Sequence, residues 1–338
     1  MKSLLYVYQN YRKSYSSASL SILRALHSLK GFKIEDFEVK PISYSNFINR
    51  ILNKVSFIRT RHFKVQNELL MTKVGNGCYD YMFVMKGTDI KSDTLLTIKK
   101  NNPSIKLICF NPDDPFNRAS SNEEIIKSIA VYDYYCIWTR HLDLKLKAAG
   151  ANHIKYLPFG VDETIIYPLD AEYKYEISFV GNGDDERHQL IRGLALEFER
   201  RNLMIRIHIF GSNWPDLGSN VIVDGQKNAE DLLKTIAASK INLNLLRKQN
   251  KNSINMRTFE IPAARGFMLH ERSDEAQSFF TSNTEVVYFD DVVDLANKCE
   301  YYLKNEEERK GCVTNCNKKL KSIDYSYQKI IDNVFNQL

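Results

Sequence analysis

Short apolar runs, rich in β-branched and aromatic residues, recur along the chain and alternate with stretches of helical spacing. In the first half the runs are Leu4–Tyr8, Phe32–Val39, Tyr81–Lys86, Ile105–Phe110, Tyr134–Trp138 and Ile154–Leu157. Between them, Leu20, Leu23 and Leu26 fall on one helical stripe, and Asp93–Asn101 behaves alike and stops before Pro103. Such alternation predicts βαβ units around a parallel sheet. The pattern breaks at Pro158–Asp162 and Tyr167–Pro168, which places a domain boundary near residue 168. It then restarts with Ile177–Val180, Ile205–Phe210, Val221–Val223, Ile241–Leu246, Phe267–Leu269 and Val286–Phe289. Helical spacing covers Arg187–Arg201, Ala229–Ser239 and the stretch from Val292 to Leu338. Two Rossmann-like, doubly wound α/β domains are expected, in residues 1–168 and 169–320, without a detectable sequence repeat. Ligands bind such sheets beyond the carboxyl ends of the strands. Two of them facing each other make a central cleft.

Composition bounds this picture without sharpening it. The chain has 338 residues, 43% hydrophobic and 26% charged, which is the balance of a folded globular protein. Lys+Arg number 47 and Asp+Glu 41, a net charge of +6 spread over many positions. A dedicated nucleic-acid domain carries clustered basic residues, so no nucleic-acid partner is expected. The charge is compatible with loose peripheral contact at an anionic inner membrane face. Six cysteines show neither a C-x-x-C pair nor zinc spacing, which fits a reducing cytoplasm. No apolar stretch is long enough to serve as a signal peptide core or a membrane span, so a cytoplasmic protein is expected.

Four segments carry candidate chemistry. In Ile177–His188 a strand runs through Gly181-Asn182-Gly183 into a helix whose first turn holds Arg187. Glycines let backbone approach a ligand, and helix N–H groups with an arginine suit a phosphate. The acidic trio 184–186 equally suits helix capping. In Ile254–His270, Glu260 sits among apolar neighbours, so its carboxylate needs a partner. A nearby arginine and a pair of ribose hydroxyls are the two options. In Leu107–Phe116, Asp113 and Asp114 follow a strand on a proline-stiffened loop. Either carboxylate can serve as a general base on an acceptor hydroxyl, and an Asx-turn is the structural alternative. The polar loop Gln9–Ala18 and the turn Lys86-Gly87-Thr88 follow the first and third strands. The seven histidines do not cluster, no Ser-His-Asp or Cys-His set stands out, and no essential metal is expected.

The spacing Arg-x-Phe-Glu-x-x-Ala-x-x-Gly over 257–266 resembles the donor-binding segment of GT-B glycosyltransferases, closest to the group 1 branch that includes spore-maturation CgeB-like proteins. Phe179-Val180-Gly181 with Arg187, Ile209–Trp214, Ser239–Asn244, Tyr301–Asn305 with Arg309, and Tyr156–Asp162 fall in that family's order. The resemblance is good over the second half and loose over the first. It implies a GT-B fold, with a last helix in 321–338 crossing back to the first domain. It implies transfer of a sugar from a nucleotide-diphosphate-sugar, a UDP-sugar being the expected donor, to a hydroxyl on a glycan, a lipid-linked precursor or a protein. No cofactor is implied beyond that substrate. Glu260 would hold the donor ribose, and Arg257, Arg187 and Arg247 or Lys248 would face the diphosphate. Gly181, Asn182 and Gly183 would line the phosphate turn, and the loop of Asp113 and Asp114 would serve the acceptor. Retaining relatives carry a second glutamate in an E-x7-E pattern, and here that position is Asn252, so retention or inversion stays open. Two rival functions remain. A NAD-dependent oxidoreductase predicts a full glycine fingerprint, which neither the loop after Tyr8 nor that after Val180 supplies. A non-catalytic nucleotide- or glycan-binding protein would fit the loss of charge at Asn252.

Overall fold

The computed structural model describes residues 1–9, 18–40, 56–165, 171–227 and 229–338. The polar loop from Asn10 to Ser17 lies outside the described residues, as does the expected boundary at Tyr167–Pro168. The chain divides into two compact units, 1–158 with 330–338, and 159–329.

The first unit is built on six strands, Lys2–Tyr8 (β1), Phe32–Glu38 (β2), Tyr81–Met85 (β3), Lys106–Asn111 (β4), Tyr134–Ile137 (β5) and His153–Tyr156 (β6). They form one parallel sheet in the order β2-β1-β3-β4-β5-β6. Residues 4–8 and 81–85 are buried without interruption, because interior strands of a parallel sheet are covered on both faces. At the edge, β2 alternates between half-buried and exposed positions along most of its length. The helix Tyr327–Phe335 ends in this unit, where the Phe335 ring lies 5.4 Å from Phe32, 6.0 Å from Tyr81 and 5.9 Å from Phe83.

The second unit repeats the plan. Its strands are Tyr175–Val180 (β7), Ile207–Phe210 (β8), Val221–Asp224 (β9), Ser239–Asn244 (β10), Met268–Glu271 (β11) and Val287–Phe289 (β12). Their order is β12-β11-β10-β7-β8-β9, again all parallel. One face of the sheet packs Ile177, Phe179, Ile207 and Ile209 against Ile191, Leu194 and Phe198 of the helix Asp185–Arg200 and Leu295 and Cys299 of the helix Val292–Lys304. Asp184 caps the first of these helices by accepting from the Arg187 N–H at 3.1 Å, so part of the acidic trio is capping chemistry.

Strand order fixes where each sheet can hold a ligand. From β7 the chain moves to β8 on one side and returns at β10 on the other, so the switch point lies between the ends of β7 and β10. In the first unit it lies between the ends of β1 and β3. The predicted doubly wound α/β class is the fold observed, and all twelve apolar runs overlap strands.

Candidate functional site

At the switch point of the second unit, Arg187 ties the two strand ends together. Its Nη1 donates to the Asn182 carbonyl at 3.0 Å and its Nη2 to the Leu245 carbonyl at 2.7 Å. The guanidinium carbon stands 5.2 Å from the centre of the Phe179 ring. Its Nε–H has no partner among the described residues. Burial, opposed by Asp184 and reinforced by the charges of Arg247 and Arg257, pulls its pKa down to about 10. Arg187 is therefore still a cation at neutral pH, held among two others. Arg247 approaches Asp184 at 3.6 Å. Arg257 donates from Nε to the Val180 carbonyl at 3.2 Å and pairs with Glu260 through Nη1. Lys251 pairs with Glu271, whose other oxygen accepts from the Leu246 N–H at 2.9 Å.

Of the residues expected from sequence, Gly181, Asn182, Gly183, Arg187, Arg247, Arg257 and Glu260 thus stand around the ends of β7 and β10. Of the two partners expected for Glu260, the arginine is present, supplied by Arg257. Gly183 has a packing reason of its own, since a β-carbon there would collide with the Asn213 carbonyl oxygen. The Asn213 carbonyl in turn accepts from His188 Nε2 at 2.8 Å, and Trp214 Nε1 donates to the Gly181 carbonyl at 2.9 Å. Asn252 is exposed with φ of 59°, in the left-handed region that asparagine tolerates and glutamate does not favour. Lys248 opens the short 3₁₀ turn Lys248–Asn250.

A buried polar network lies among these residues, joining side chains whose mutual contacts the sequence does not predict. Asn244, Thr258 and His270 have no exposed surface. Asn244 Nδ2 donates to Thr258 Oγ1 at 3.2 Å, and Asn255 Nδ2 donates to Asn244 Oδ1 at 2.8 Å. His270 contacts Thr258 Oγ1 through Nε2 at 3.1 Å and the Glu271 carbonyl through Nδ1 at 2.5 Å. A carbonyl can only accept, so Nδ1 carries the proton and Nε2 accepts from the threonine. Burial brings the imidazole pKa down from 6.5 to about 4, so the ring is neutral. The signal in sequence was Asn244 inside an apolar strand, a polar group that must find a partner.

In the first unit, Asp113 and Asp114 have different surroundings. Asp114 Oδ1 accepts from the Phe116 N–H at 2.8 Å, an Asx-turn, as the structural alternative proposed. Asp113 Oδ2 accepts from Lys86 Nζ at 2.6 Å, and both side chains are about one quarter exposed. Lys86 has φ of 64°, and the next amide, Gly87 N–H, reaches back to the Met85 carbonyl at 2.8 Å. This i to i+2 bond over a left-handed residue is a rare, strained γ-turn. Strain of this kind costs about 1–3 kcal/mol, whereas a partly exposed ion pair offsets about 1 kcal/mol at most.

Among the described residues no group of three or more His, Cys, Asp or Glu is placed to hold a metal. No helix among them is long and apolar enough to cross a membrane.

This architecture is that of the GT-B glycosyltransferases, two parallel six-stranded Rossmann-like sheets with their helices. Residues 174–336 match a family model described as "Glycosyl transferase-like". No curated protein has a sequence that matches this one. Sucrose-phosphate synthase from Thermosynechococcus elongatus is similar in structure, with a TM-score of 0.68 at 11% identity over 100% of this chain and 99% of that one. HepE of Anabaena, crystallised with UDP-glucose, gives 0.63 at 9% identity over 100% of both chains. A DNA-modifying β-glucosyltransferase, solved with and without uridine diphosphoglucose, gives 0.64 at 13% over 100% of this chain and 99% of that one. At such identities these likenesses establish the fold.

Proposed function

We propose that the protein is a glycosyltransferase that moves a sugar from a nucleotide-diphosphate-sugar to a hydroxyl acceptor. The observation that carries this is the set of three arginines, Arg187, Arg247 and Arg257, drawn together at the switch point of a glycosyltransferase-like domain. A nucleoside diphosphate gains negative charge as the bond to the sugar breaks, and fixed guanidinium groups stabilise that charge. In this reading Arg247 and Arg257 face the diphosphate, Arg187 holds Asn182 and Leu245 in place beneath it, and Gly181 and Gly183 shape the turn. Glu260 accepts from the donor ribose after exchanging its contact with Arg257. Two structural neighbours with UDP-glucose as ligand or substrate support a UDP-sugar as donor. The group 1, CgeB-like branch is the subfamily its motifs suggest. We place the protein in the cytoplasm, acting without a metal on a glycan, lipid-linked or protein acceptor, with any membrane contact peripheral.

Calorimetric titration with UDP tests the donor site. Arg257→Ala and Glu260→Ala are each expected to weaken UDP binding by about 10- to 100-fold, the loss of one charge-assisted contact, while melting as the parent does. Parent-like affinity in both variants means the donor is held elsewhere.

A further inference from the structure

Arg247 rides on the loop that follows β10, a polar stretch rich in Lys and Asn with one 3₁₀ turn. Arg247, Lys248 and Lys251 are exposed, so packing does not hold them in place. Hydrogen bonds do. Asn250 is buried, its N–H donates to the Arg247 carbonyl at 2.7 Å, and its Nδ2 donates to the Ile254 carbonyl at 2.9 Å. Glu271 reaches both ends of the exposed stretch. Its Oε2 accepts from the Leu246 N–H at 2.9 Å, and its Oε1 pairs with Lys251 Nζ. It can do so because β11 lies beside β10 with His270 opposite Asn244, which sets the next residue against the start of the loop. The Glu271 side chain is 14% exposed, and its charge is felt by Arg187. Electrostatics alone would favour a neutral residue beside a diphosphate. The two contacts of the carboxylate supply a reason for it to be there.

Resting on the transferase reading, we propose that Glu271 is a positioning residue whose carboxylate closes the loop 246–251 and so fixes Arg247 for the diphosphate. It acts through Arg247. With the closure released, the loop spends only part of its time in the arrangement that meets the ligand. The apparent Kd then rises by the inverse of that fraction.

Two readouts separate the order of the loop from binding of the ligand. Trypsin cuts after Arg247, Lys248 and Lys251, and cleavage there requires the loop to open. Without ligand, Glu271→Ala should speed cleavage at these sites by about 10-fold, and it should weaken UDP binding in calorimetry by about 10-fold. Glu271→Gln, whose amide oxygen still accepts from Leu246, should fall between Glu271→Ala and the parent in both. Adding Glu271→Ala to Arg247→Ala should weaken UDP binding no further, whereas a general loss of structure would add its own cost. Cleavage of Glu271→Ala at the parent rate, tighter UDP binding in either Glu271 variant, or losses that multiply in the double variant would overturn the proposal and leave the transferase reading standing. A parent that binds no UDP overturns the donor site of that reading, and this proposal with it.

Discussion

His270 has no exposed surface and sits directly behind the residues at the ends of β7 and β10. Its pKa falls from 6.5 to about 4 on folding because burial disfavours the imidazolium. The unfolded chain therefore binds the extra proton first, and stability contributed by the neutral ring is complete above pH 6.5 and lost as pH falls toward 4. The loss over that window amounts to about 3 kcal/mol. Urea denaturation from pH 7 to pH 4.5 should show a shallower decline in His270→Asn than in the parent, and equal slopes would contradict the assigned burial cost. At this scale the sequence revealed residue types better than their partners. Glu260 was legible as a carboxylate in need of a partner, but only the helical turn of Arg257–Ala263 shows that Arg257 supplies it. The contrast between Asp113 and Asp114 was out of reach, because Lys86 lies 27 residues away in the chain.

At the scale of elements, nearly the whole plan was legible. Interior parallel strands are buried on both faces, so they stand out as unbroken apolar runs such as Leu4–Tyr8 and Tyr81–Met85. Strand order was not legible, since it depends on crossovers over distant residues, and with it went the location of both switch points. The helix Tyr327–Phe335 illustrates the same limit. Its spacing reads as helical, but nothing local says that Phe335 closes the core of the first unit against Phe32, Tyr81 and Phe83. Phe335 is 5% exposed. Phe335→Ala is therefore expected to destabilise that unit by about 3–5 kcal/mol in urea titration. A loss under about 1 kcal/mol would mean that the ring is not part of the core.

For the whole molecule, the central proposal is that a chain with the GT-B fold, whose residues 174–336 match a glycosyl transferase-like model, carries a site for a nucleoside diphosphate. The missing glycine fingerprint weighed against a dinucleotide from the sequence onward, and the arginines gathered around Arg187 give the site the charge a diphosphate needs. The most direct measurement is thermal stability in the presence of UDP, GDP, ADP, CMP and NAD. A ligand at 100 times its Kd adds about 2.7 kcal/mol to the folded state, which raises the melting temperature by about 5 °C or more. The account predicts such a rise with UDP and none with NAD. A rise with NAD alone, or with none of the five, would contradict it.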